Sequence, residues 1–260
     1  MRIARFEHNG TIAFGNVIGE GDSAYLAVLH GNPMLGLAEP TGEHLPVNAV
    51  RLLAPSEPSK IVCVGKNYGA HIAEMGLTGS AEPTIFLKPP SALIGAGEAI
   101  VLPHQSGQVE LEVELAMVIG HTAKNVSQAD ALSVVWGYTV ANDVTARDLQ
   151  ATDDQWMRSK GFDTFCPVGP WVETDWRPAG QRIWSEVVAA DGVRELRQDD
   201  ALGSMIFDVP RILSFISQNM TLLPGDIVLT GTPSGISGIA SGQLVECAVE
   251  GIGVLSNPVA

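Results

Sequence analysis

The chain has 260 residues, of which 45% are apolar and 17% are charged, so it can bury a large core in one domain, with or without a small appendage. Its formal net charge of −14 at pH 7 argues against duplex nucleic acid and anionic membranes as partners, because both select basic surfaces. An anionic substrate would have to be held locally, by a metal or by a few cationic groups.

The cysteines and the N-terminus indicate the compartment. Cys63, Cys166 and Cys247 are widely spaced and include no Cys-x-x-Cys pair, so neither a disulfide framework nor a thiolate zinc site is indicated. They are typical of buried thiols in a reducing compartment. The N-terminus has charges where a signal peptide needs its apolar region, and no apolar run approaches the ~18 residues of a membrane span. We expect a cytoplasmic protein without a membrane partner.

The first 55 residues have the pattern of a small β-rich module. Strands are predicted at 2–6, 11–17 and 23–29. The stretch 54–59, with two prolines and two serines, is typical of a stiff connector. We therefore place a domain boundary near residue 55 and assign 56–260 to the main domain.

A possible acid–base pair follows the connector. An apolar strand at 61–64 leads through Gly65-Lys66-Asn67-Tyr68 into a short helix at 69–75. His71 and Glu74 lie on one face of that helix, where a carboxylate would raise the basicity of the imidazole and fix its tautomer, as a general base requires. An ordinary surface pair is the alternative. Glycines on both sides would let the segment move as a lid.

The stretch 110–120 places carboxylates at the mouth of an apolar strand. Residues two apart in a strand share a face and lie roughly 6.6 Å apart, so Glu110, Glu112 and Glu114 point one way. Farther along, both faces are apolar, so these carboxylates border a core. Carboxylates this close in a region of low dielectric need a proton or a cation, for which a hard divalent metal is suited. A solvated strand face is the alternative.

The remaining elements place further polar residues near strand ends. Strands are predicted at 84–87, 135–141, 227–230, 243–249 and 253–256, short helices at 127–134, 152–160 and after Asp208, and a type I′ hairpin at Asp191-Gly192.

Asp143 follows the strand at 135–141, where it could be a third metal ligand or part of a turn. Lys160 could be solvated or could neutralise a carboxylate. The loop 231–235 could bring N–H groups and a hydroxyl to an anion, but it lacks the lysine and spacing of a P-loop.

Five motifs in this order resemble the fumarylacetoacetate hydrolase family. They are Gly65-Lys66-Asn67-Tyr68 with His71 and Glu74, Glu112-Val113-Glu114-Leu115, Asn142-Asp143-Val144-Thr145-Ala146-Arg147-Asp148, Lys160-Gly161-Phe162-Asp163-Thr164, and Gly231-Thr232-Pro233-Ser234-Gly235. The similarity spans about residue 60 to the end. It implies a β-rich α+β fold of mixed β-sheets rolled around a central metal site, with a small N-terminal β-rich module, in a homodimer.

The resemblance also implies a site and a cofactor, Mg²⁺ or Mn²⁺. Carried over by position, the site residues are Glu112, Glu114 and Asp143 for the metal, His71, Glu74 and Lys160 for catalysis, and Gln150 and Thr232 for substrate binding. Glu110 would be an outer neighbour. The region 181–204 departs from the more usual family pattern, which leaves the selection of the substrate side chain open.

The implied activity is metal-dependent chemistry on a small 2-oxo acid through a metal-stabilised enolate. Because His71 and Glu74 could deprotonate water, we expect C–C bond cleavage, either acylpyruvate hydrolysis or oxaloacetate-type decarboxylation. The alternative is a 2-hydroxyhepta-2,4-diene-1,7-dioate isomerase or 5-carboxymethyl-2-oxo-hex-3-ene-1,7-dioate decarboxylase of aromatic catabolism. An alternative of another class is a non-enzymatic β-domain with a structural Ca²⁺ site, which would give His71, Glu74 and Lys160 no purpose.

Overall fold

The structure is a computed structural model that describes residues 1–36 and 38–260. Most of its regular secondary structure is β-strand. The strands are β1 (Arg2–His8), β2 (Thr11–Ile18), β3 (Tyr25–Leu29), β4 (Pro40–Pro46), β5 (Arg51–Leu53), β6 (Ile61–Gly65), β7 (Thr84–Lys88), β8 (Leu93–Ile94), β9 (Val109–Leu111), β10 (Val113–Ile119), β11 (Val135–Asn142), β12 (Thr145–Ala146), β13 (Cys166–Glu173), β14 (Arg182–Val188), β15 (Arg194–Ala201), β16 (Ile227–Leu229), β17 (Ser237–Gly238), β18 (Leu244–Val249) and β19 (Gly253–Pro258). The α-helices are α1 (Gly69–Glu74), α2 (Arg147–Thr152), α3 (Met157–Lys160) and α4 (Val209–Asn219). Short 3₁₀ helices lie at Gly21–Ser23, Pro33–Leu35, Val47–Ala49, Pro90–Ala92, Ala131–Val134 and Leu202–Ser204.

The largest sheet combines the strands of residues 1–55 with strands from the rest of the chain. Its order is β4-β3-β2-β1-β13-β11-β10-β16-β6-β7, with β5 beside β1 and β8 beside β13. The β6–β16 and β8–β13 pairs are parallel, in a sheet that is otherwise antiparallel over the described residues. Two smaller sheets have the orders β12-β9-β17 and β15-β14-β18-β19. The predicted β-rich α+β fold of mixed sheets is therefore confirmed.

The main apolar core joins β10 and β11 to the β14–β18 pair and to helix α4. Strand β10 is buried along its whole length, as expected for a strand that is apolar on both faces. Helix α4 begins where the sequence predicts, because Asp208 accepts a hydrogen bond from the Arg211 N–H at 2.9 Å and Pro210 lies in the first turn. In the described part of the chain, no helix has both the length and the hydropathy that crossing a membrane requires.

Residues 1–55 form a small apolar core and also extend the main sheet. That core consists of Ala4, Phe6, Val17, Ala24, Leu26 and Val28. Strand β1 pairs with β13, with Ile3 opposite Val172, so the N-terminal strands are continuous with the rest. The connector is fixed as well, because Ser56 Oγ donates to the Gly225 carbonyl at 2.8 Å and Ser59 Oγ donates to Asp226 at 2.7 Å.

Three local predictions are wrong. The segment predicted as a helix at 127–134 is a turn followed by the short 3₁₀ helix Ala131–Val134. Ser127 forms hydrogen bonds with Asp130 and so stabilises the turn locally. The helix predicted at 152–160 is divided between α2 and α3, and α2 begins earlier. The hairpin after β14 has a positive φ at Gly192 but not at Asp191, so it lacks the two such residues that a type I′ turn requires.

Candidate metal centre and active site

Three buried carboxylates meet where β10 and β11 lie side by side. Glu114 is on β10, Asp143 directly follows β11, and Glu112 lies between β9 and β10. The Asp143 N–H donates to the Glu112 carbonyl at 2.9 Å, which aligns the two strand ends. One ligand oxygen from each residue lies within 4.8 Å of the others. Hard oxygen donors at this spacing fit a divalent ion of the Mg²⁺, Mn²⁺ or Ca²⁺ type.

Glu110 does not join this group, because the predicted continuous strand is interrupted at Glu112. Glu110 lies on β9, which belongs to a small separate sheet. Its Oε2 accepts a hydrogen bond from Arg147 Nε at 2.7 Å, and its Oε1 accepts one from Gln108 at 2.7 Å. The alternation rule predicts three carboxylates on one face, whereas the interruption turns the first of them toward an arginine.

Three buried cations partly neutralise the acidic residues. Lys160 Nζ donates to Glu112 Oε2 and to Asp143 Oδ2, both at 2.7 Å. Lys88 Nζ donates to Asp143 Oδ1 at 2.5 Å. Arg147 bonds to Glu112 as well as to Glu110. With Glu110 included, four carboxylates face three cations, so the cluster keeps a net negative charge that a divalent ion would offset.

Within residues 1–36 and 38–260, Glu114 is the one of these four carboxylates without an ion pair. Burial, and then the neighbouring charges of Asp143 and Glu112, raise its pKa well above the usual range. The Gly231 N–H, which donates to Glu114 Oε2 at 2.5 Å, only partly compensates. Burial alone would also raise the pKa of Glu112, but the charges of Lys160 and Arg147 outweigh it and lower that pKa. Glu114 is therefore the carboxylate that most needs a bound cation.

The predicted acid–base pair faces the same site from helix α1. His71 Nδ1 lies 3.2 Å from Glu74 Oε2, and Glu74 Oε1 accepts a hydrogen bond from the Gly235 N–H at 3.0 Å. The imidazole is buried, whereas the carboxylate is partly exposed. The contact at Nδ1 leaves Nε2 as the ring nitrogen for a bound molecule.

A cavity of about 380 Å³ joins the two groups. The predicted site residues that line it are His71, Glu112, Glu114, Asp143, Gln150, Lys160 and Thr232. Glu74 contacts His71, which lines the cavity. Gln150 Oε1 accepts a hydrogen bond from Arg147 at 2.5 Å, so its amide N–H groups are the part that can serve a ligand. The Thr232 hydroxyl donates to the Val113 carbonyl at 2.8 Å and accepts from Gln198 at 2.7 Å, so it is already largely satisfied within the protein.

Sequence reasoning missed two residues of this cluster, Lys88 and Arg147. Lys88 ends strand β7, and its ammonium is fully buried against Asp143 and the Val144 carbonyl. The rule that selected Asp143, a charged residue at the end of an apolar strand, applies to Lys88 equally. Arg147 stands in a motif that the sequence analysis quotes, but its pairing with Glu110 requires β9 and β12 to lie side by side, which the sequence does not reveal.

Two family models match the chain. The family model described as fumarylacetoacetate (FAA) hydrolase C-terminal matches residues 60–260, and the Rv2993c-like N-terminal model matches residues 1–55. The chain is similar to a solved structure of 2-hydroxyhepta-2,4-diene-1,7-dioate isomerase from Mycobacterium marinum, with 44% identity, a TM-score of 0.91, and coverage of 100% of this chain and 98% of that one.

Two further relatives have names that indicate different activities. The mitochondrial oxaloacetate tautomerase FAHD2B of Bos taurus is 41% identical over 225 residues, which cover 83% of this chain and 71% of the bovine protein. The fumarylpyruvate hydrolase of Pseudomonas aeruginosa, solved with Mn²⁺ and pyruvate, is 32% identical, with a TM-score of 0.72 and coverage of 81% of this chain and 91% of that one.

The fold and the cluster together define a class: a β-rich enzyme fold with a buried acidic site that could bind a metal. The chain belongs to the fumarylacetoacetate hydrolase family. The resemblance drawn from the five motifs is therefore confirmed. Because relatives with one fold carry out isomerisation, tautomerisation and hydrolysis, membership alone does not choose among these reactions.

Proposed function

We propose that this protein is a Mg²⁺- or Mn²⁺-dependent enzyme that cleaves a C–C bond in a small 2-oxo acid, by acylpyruvate hydrolysis or oxaloacetate-type decarboxylation. The observation that carries the proposal is the shared cavity, which His71 lines together with the three buried carboxylates, while Glu74 contacts His71. The Pseudomonas aeruginosa relative supports the ligand class, because its structure contains Mn²⁺ and pyruvate.

In this proposal Glu112, Glu114 and Asp143 hold the divalent ion, which when bound supplies a Lewis acid for the ketone oxygen of the substrate. Lys160 supplies a fixed positive charge beside them. Burial alone would lower the pKa of Lys160, but the carboxylates of Asp143 and Glu112 outweigh it and raise the pKa, so the ammonium stays protonated. That charge favours an anionic enolate over the neutral ketone.

The pair His71 and Glu74 handles the proton. Glu74 holds the imidazole through Nδ1, so Nε2 can take a proton from a water molecule. In hydrolysis that water adds to the acyl carbonyl, the C–C bond breaks with its electrons moving into the enolate of pyruvate, and a proton then returns to carbon. Gln150 would donate an amide N–H to the substrate, and Thr232 would line its path.

A second candidate is keto–enol or double-bond isomerisation, including the diene-dioate isomerase of aromatic catabolism. The names of the Bos taurus and Mycobacterium marinum relatives, a tautomerase and an isomerase, favour it. It requires no attacking water, because His71 would only move a proton between carbon and oxygen.

Product analysis separates the two. The protein would be incubated with acetylpyruvate and, separately, with oxaloacetate, in Mg²⁺, Mn²⁺ or EDTA, and the products followed by NMR. We expect pyruvate from at least one substrate, formed faster than in the same metal solution without protein, and no such acceleration by the protein in EDTA. Equilibration of the enol and keto forms of oxaloacetate without pyruvate would replace cleavage by tautomerisation. Ca²⁺ binding with no turnover of either compound would favour the structural Ca²⁺ site.

Two accompanying proposals concern organisation. We propose that residues 1–55 and 56–260 are separate domains, supported by the separate family-model matches at 1–55 and 60–260. We also propose that the protein is a homodimer. Size-exclusion chromatography with light scattering, which measures the molar mass in solution, would test this.

A further inference from the structure

We propose that Lys66 recognises the far end of the substrate, so that the cavity prefers a 2-oxo acid with a second, distal carboxylate over one whose far end is uncharged. This inference rests on the proposed function, because it presumes that the 2-oxo group engages the carboxylate cluster. It narrows the substrate class to 2-oxo dicarboxylates.

Lys66 lies in a turn that the surrounding structure fixes. It follows strand β6 and has a φ of +60°, a conformation that side-chain-bearing residues rarely adopt. Asn67 holds the turn: its Oδ1 accepts from the Phe207 N–H at 2.7 Å, and its Nδ2 donates to the Thr230 carbonyl at 2.7 Å. An unfavourable backbone conformation that is fixed in this way is common at functional sites.

Lys66 differs from the other cations that line the cavity in its contacts. Lys160 is bonded to Glu112 and Asp143, and Arg147 to Glu110 and Glu112. Across residues 1–36 and 38–260, the Lys66 ammonium makes neither an ion pair nor a hydrogen bond, although the chain has 29 acidic residues against 15 basic ones. Its charge is therefore available to a ligand carboxylate.

The turn also lies beside the carboxylate cluster. A Cβ placed on Gly231 would be 2.7 Å from Asn67 Cβ and 3.0 Å from the Val64 carbonyl, so the two loops are in direct contact. The Gly231 N–H in turn donates to Glu114. A 2-oxo acid bound at the cluster would extend its other end into the same cavity, which Lys66 lines.

Beyond Lys66, the polar groups of that cavity are the carboxylate cluster with Lys160, and His71, Arg147, Gln150 and Thr232. Its other walls include the apolar side chains of Met75, Leu77, Phe86 and Trp156. A carboxylate buried against such walls without a partner would be costly. An uncharged chain end, by contrast, would pack against them without needing Lys66.

The test uses two unreactive probes that differ only at the far end. 2-Oxoglutarate ends in a carboxylate and 2-oxopentanoate ends in a methyl group, and oxalate serves as a probe with no far end. Their affinities for the Mn²⁺-loaded enzyme would be measured by calorimetry for wild type, Lys66→Met, Lys66→Arg and the exposed-lysine control Lys124→Met. The methionine keeps an unbranched apolar stem on the same strained backbone.

We expect the wild-type protein to bind 2-oxoglutarate more tightly than 2-oxopentanoate. Lys66→Met should lower the affinity for 2-oxoglutarate roughly ten- to a hundredfold, which is the usual contribution of a charged hydrogen bond. In Lys66→Met, the affinities for 2-oxopentanoate and oxalate should change less than about twofold. Lys66→Arg should keep most of the preference for 2-oxoglutarate, and Lys124→Met should have the affinities of the wild-type protein.

Equal weakening of all three probes, or no weakening of any, would overturn the role of Lys66 and leave the proposed function standing, since the probes would still bind with metal. If none of the three probes binds to the wild-type protein in a metal-dependent manner, both the role of Lys66 and the proposed function would be overturned. If Lys66→Met does not fold, the salt dependence of wild type decides: a preference that is unchanged between low and high ionic strength would overturn the proposal.

Discussion

The Lys88 ammonium lies 2.5 Å from Asp143 Oδ1, although 55 residues separate the two in the chain. Both side chains are almost completely buried. Lys160 approaches the other oxygen of the same carboxylate, so Asp143 is held between two lysines while it faces Glu112 and Glu114. Such a pair is costly to break, because the remaining charge keeps its burial and loses its partner.

The Lys88→Met variant should therefore lose stability, and the loss should depend on metal. We expect the free energy of unfolding in EDTA to fall by about 3 kcal/mol or more. Saturating Mg²⁺ should recover part of it, since a divalent ion binds the folded form and replaces the missing charge. Urea unfolding with and without Mg²⁺ measures this, with Lys124→Met as the control. A loss of the same size in both conditions would show that Lys88 and the ion do not share a role.

The carboxylates should differ in what their removal does. Glu112→Ala, Glu114→Ala and Asp143→Ala should each weaken Mn²⁺ binding and abolish turnover, because each removes a proposed ligand. Glu110→Ala should keep metal binding and instead destabilise the fold, since it leaves Arg147 with one carboxylate fewer. Calorimetric Mn²⁺ titration and thermal unfolding distinguish the two effects. Full activity of Glu114→Ala after treatment with a chelator would refute the ligand assignment.

The role of His71 can be read from two reactions of one variant. If His71 activates water, His71→Ala should slow acylpyruvate hydrolysis about 10²- to 10⁴-fold, the usual worth of a positioned base. Oxalate should still bind, because the carboxylate cluster is unchanged, and decarboxylation should be less affected because it needs no water. The exposed His121 provides a control, His121→Ala. Unchanged hydrolysis in His71→Ala would move the assignment to isomerisation.

Segment 65–80 should become more protected when a ligand binds. Helix α1 has only six residues and is followed by Gly76 at a φ of +63°, so the segment buries little apolar surface by itself. Oxalate with Mg²⁺ should slow its amide hydrogen exchange if it closes over the site. Exchange at equal rates with and without oxalate would mean that the segment is no lid. Strand β10, buried throughout, supplies the internal reference.

Asp226 should make the fold sensitive to acid. Burial alone would raise its pKa, but hydrogen bonds from Lys60, Leu223 and Ser59 outweigh it and lower the pKa. A lowered folded-state pKa gives stability that is present above the unfolded value, about 3.9, and is lost as the pH falls through the folded value.

We therefore expect Asp226→Asn to lose about 2 kcal/mol near pH 7, and the difference from wild type to shrink below about pH 4. Urea unfolding at a series of pH values measures this, with the exposed Asp22→Asn as control. A difference that stays constant down to pH 3 would exclude the ionised carboxylate as the cause.

The sequence predicted the positions of strands well where one face or both are apolar. The run from Val113 to Ile119 is buried throughout, and strand periodicity alone shows it. The same periodicity was wrong at Glu110, because the chain leaves one sheet and enters another at Glu112. A change of sheet is decided by which strands pair, and pairing between distant strands leaves no periodic signal in either one.

The site was partly predictable for a similar reason. Residues near strand ends, such as Asp143, could be selected from local pattern, and the family motifs brought in Gln150 and Thr232. The neutralising role of Lys88 depends on β7 and β11 belonging to one sheet several strands apart. No local rule connects these positions, and a lysine before two prolines is ordinarily solvated.

Parallel strands end on the same side of a sheet, and β6 and β16 are such a pair, with Cys63 opposite Leu229. The turn that carries Lys66 and the loop that carries Thr232 therefore leave side by side, close enough that a side chain on Gly231 would collide with Asn67. Grafting one of these loops from a relative would introduce a mismatch with the other. A chimera meant to change substrate preference should therefore exchange residues 65–68 and 231–235 together.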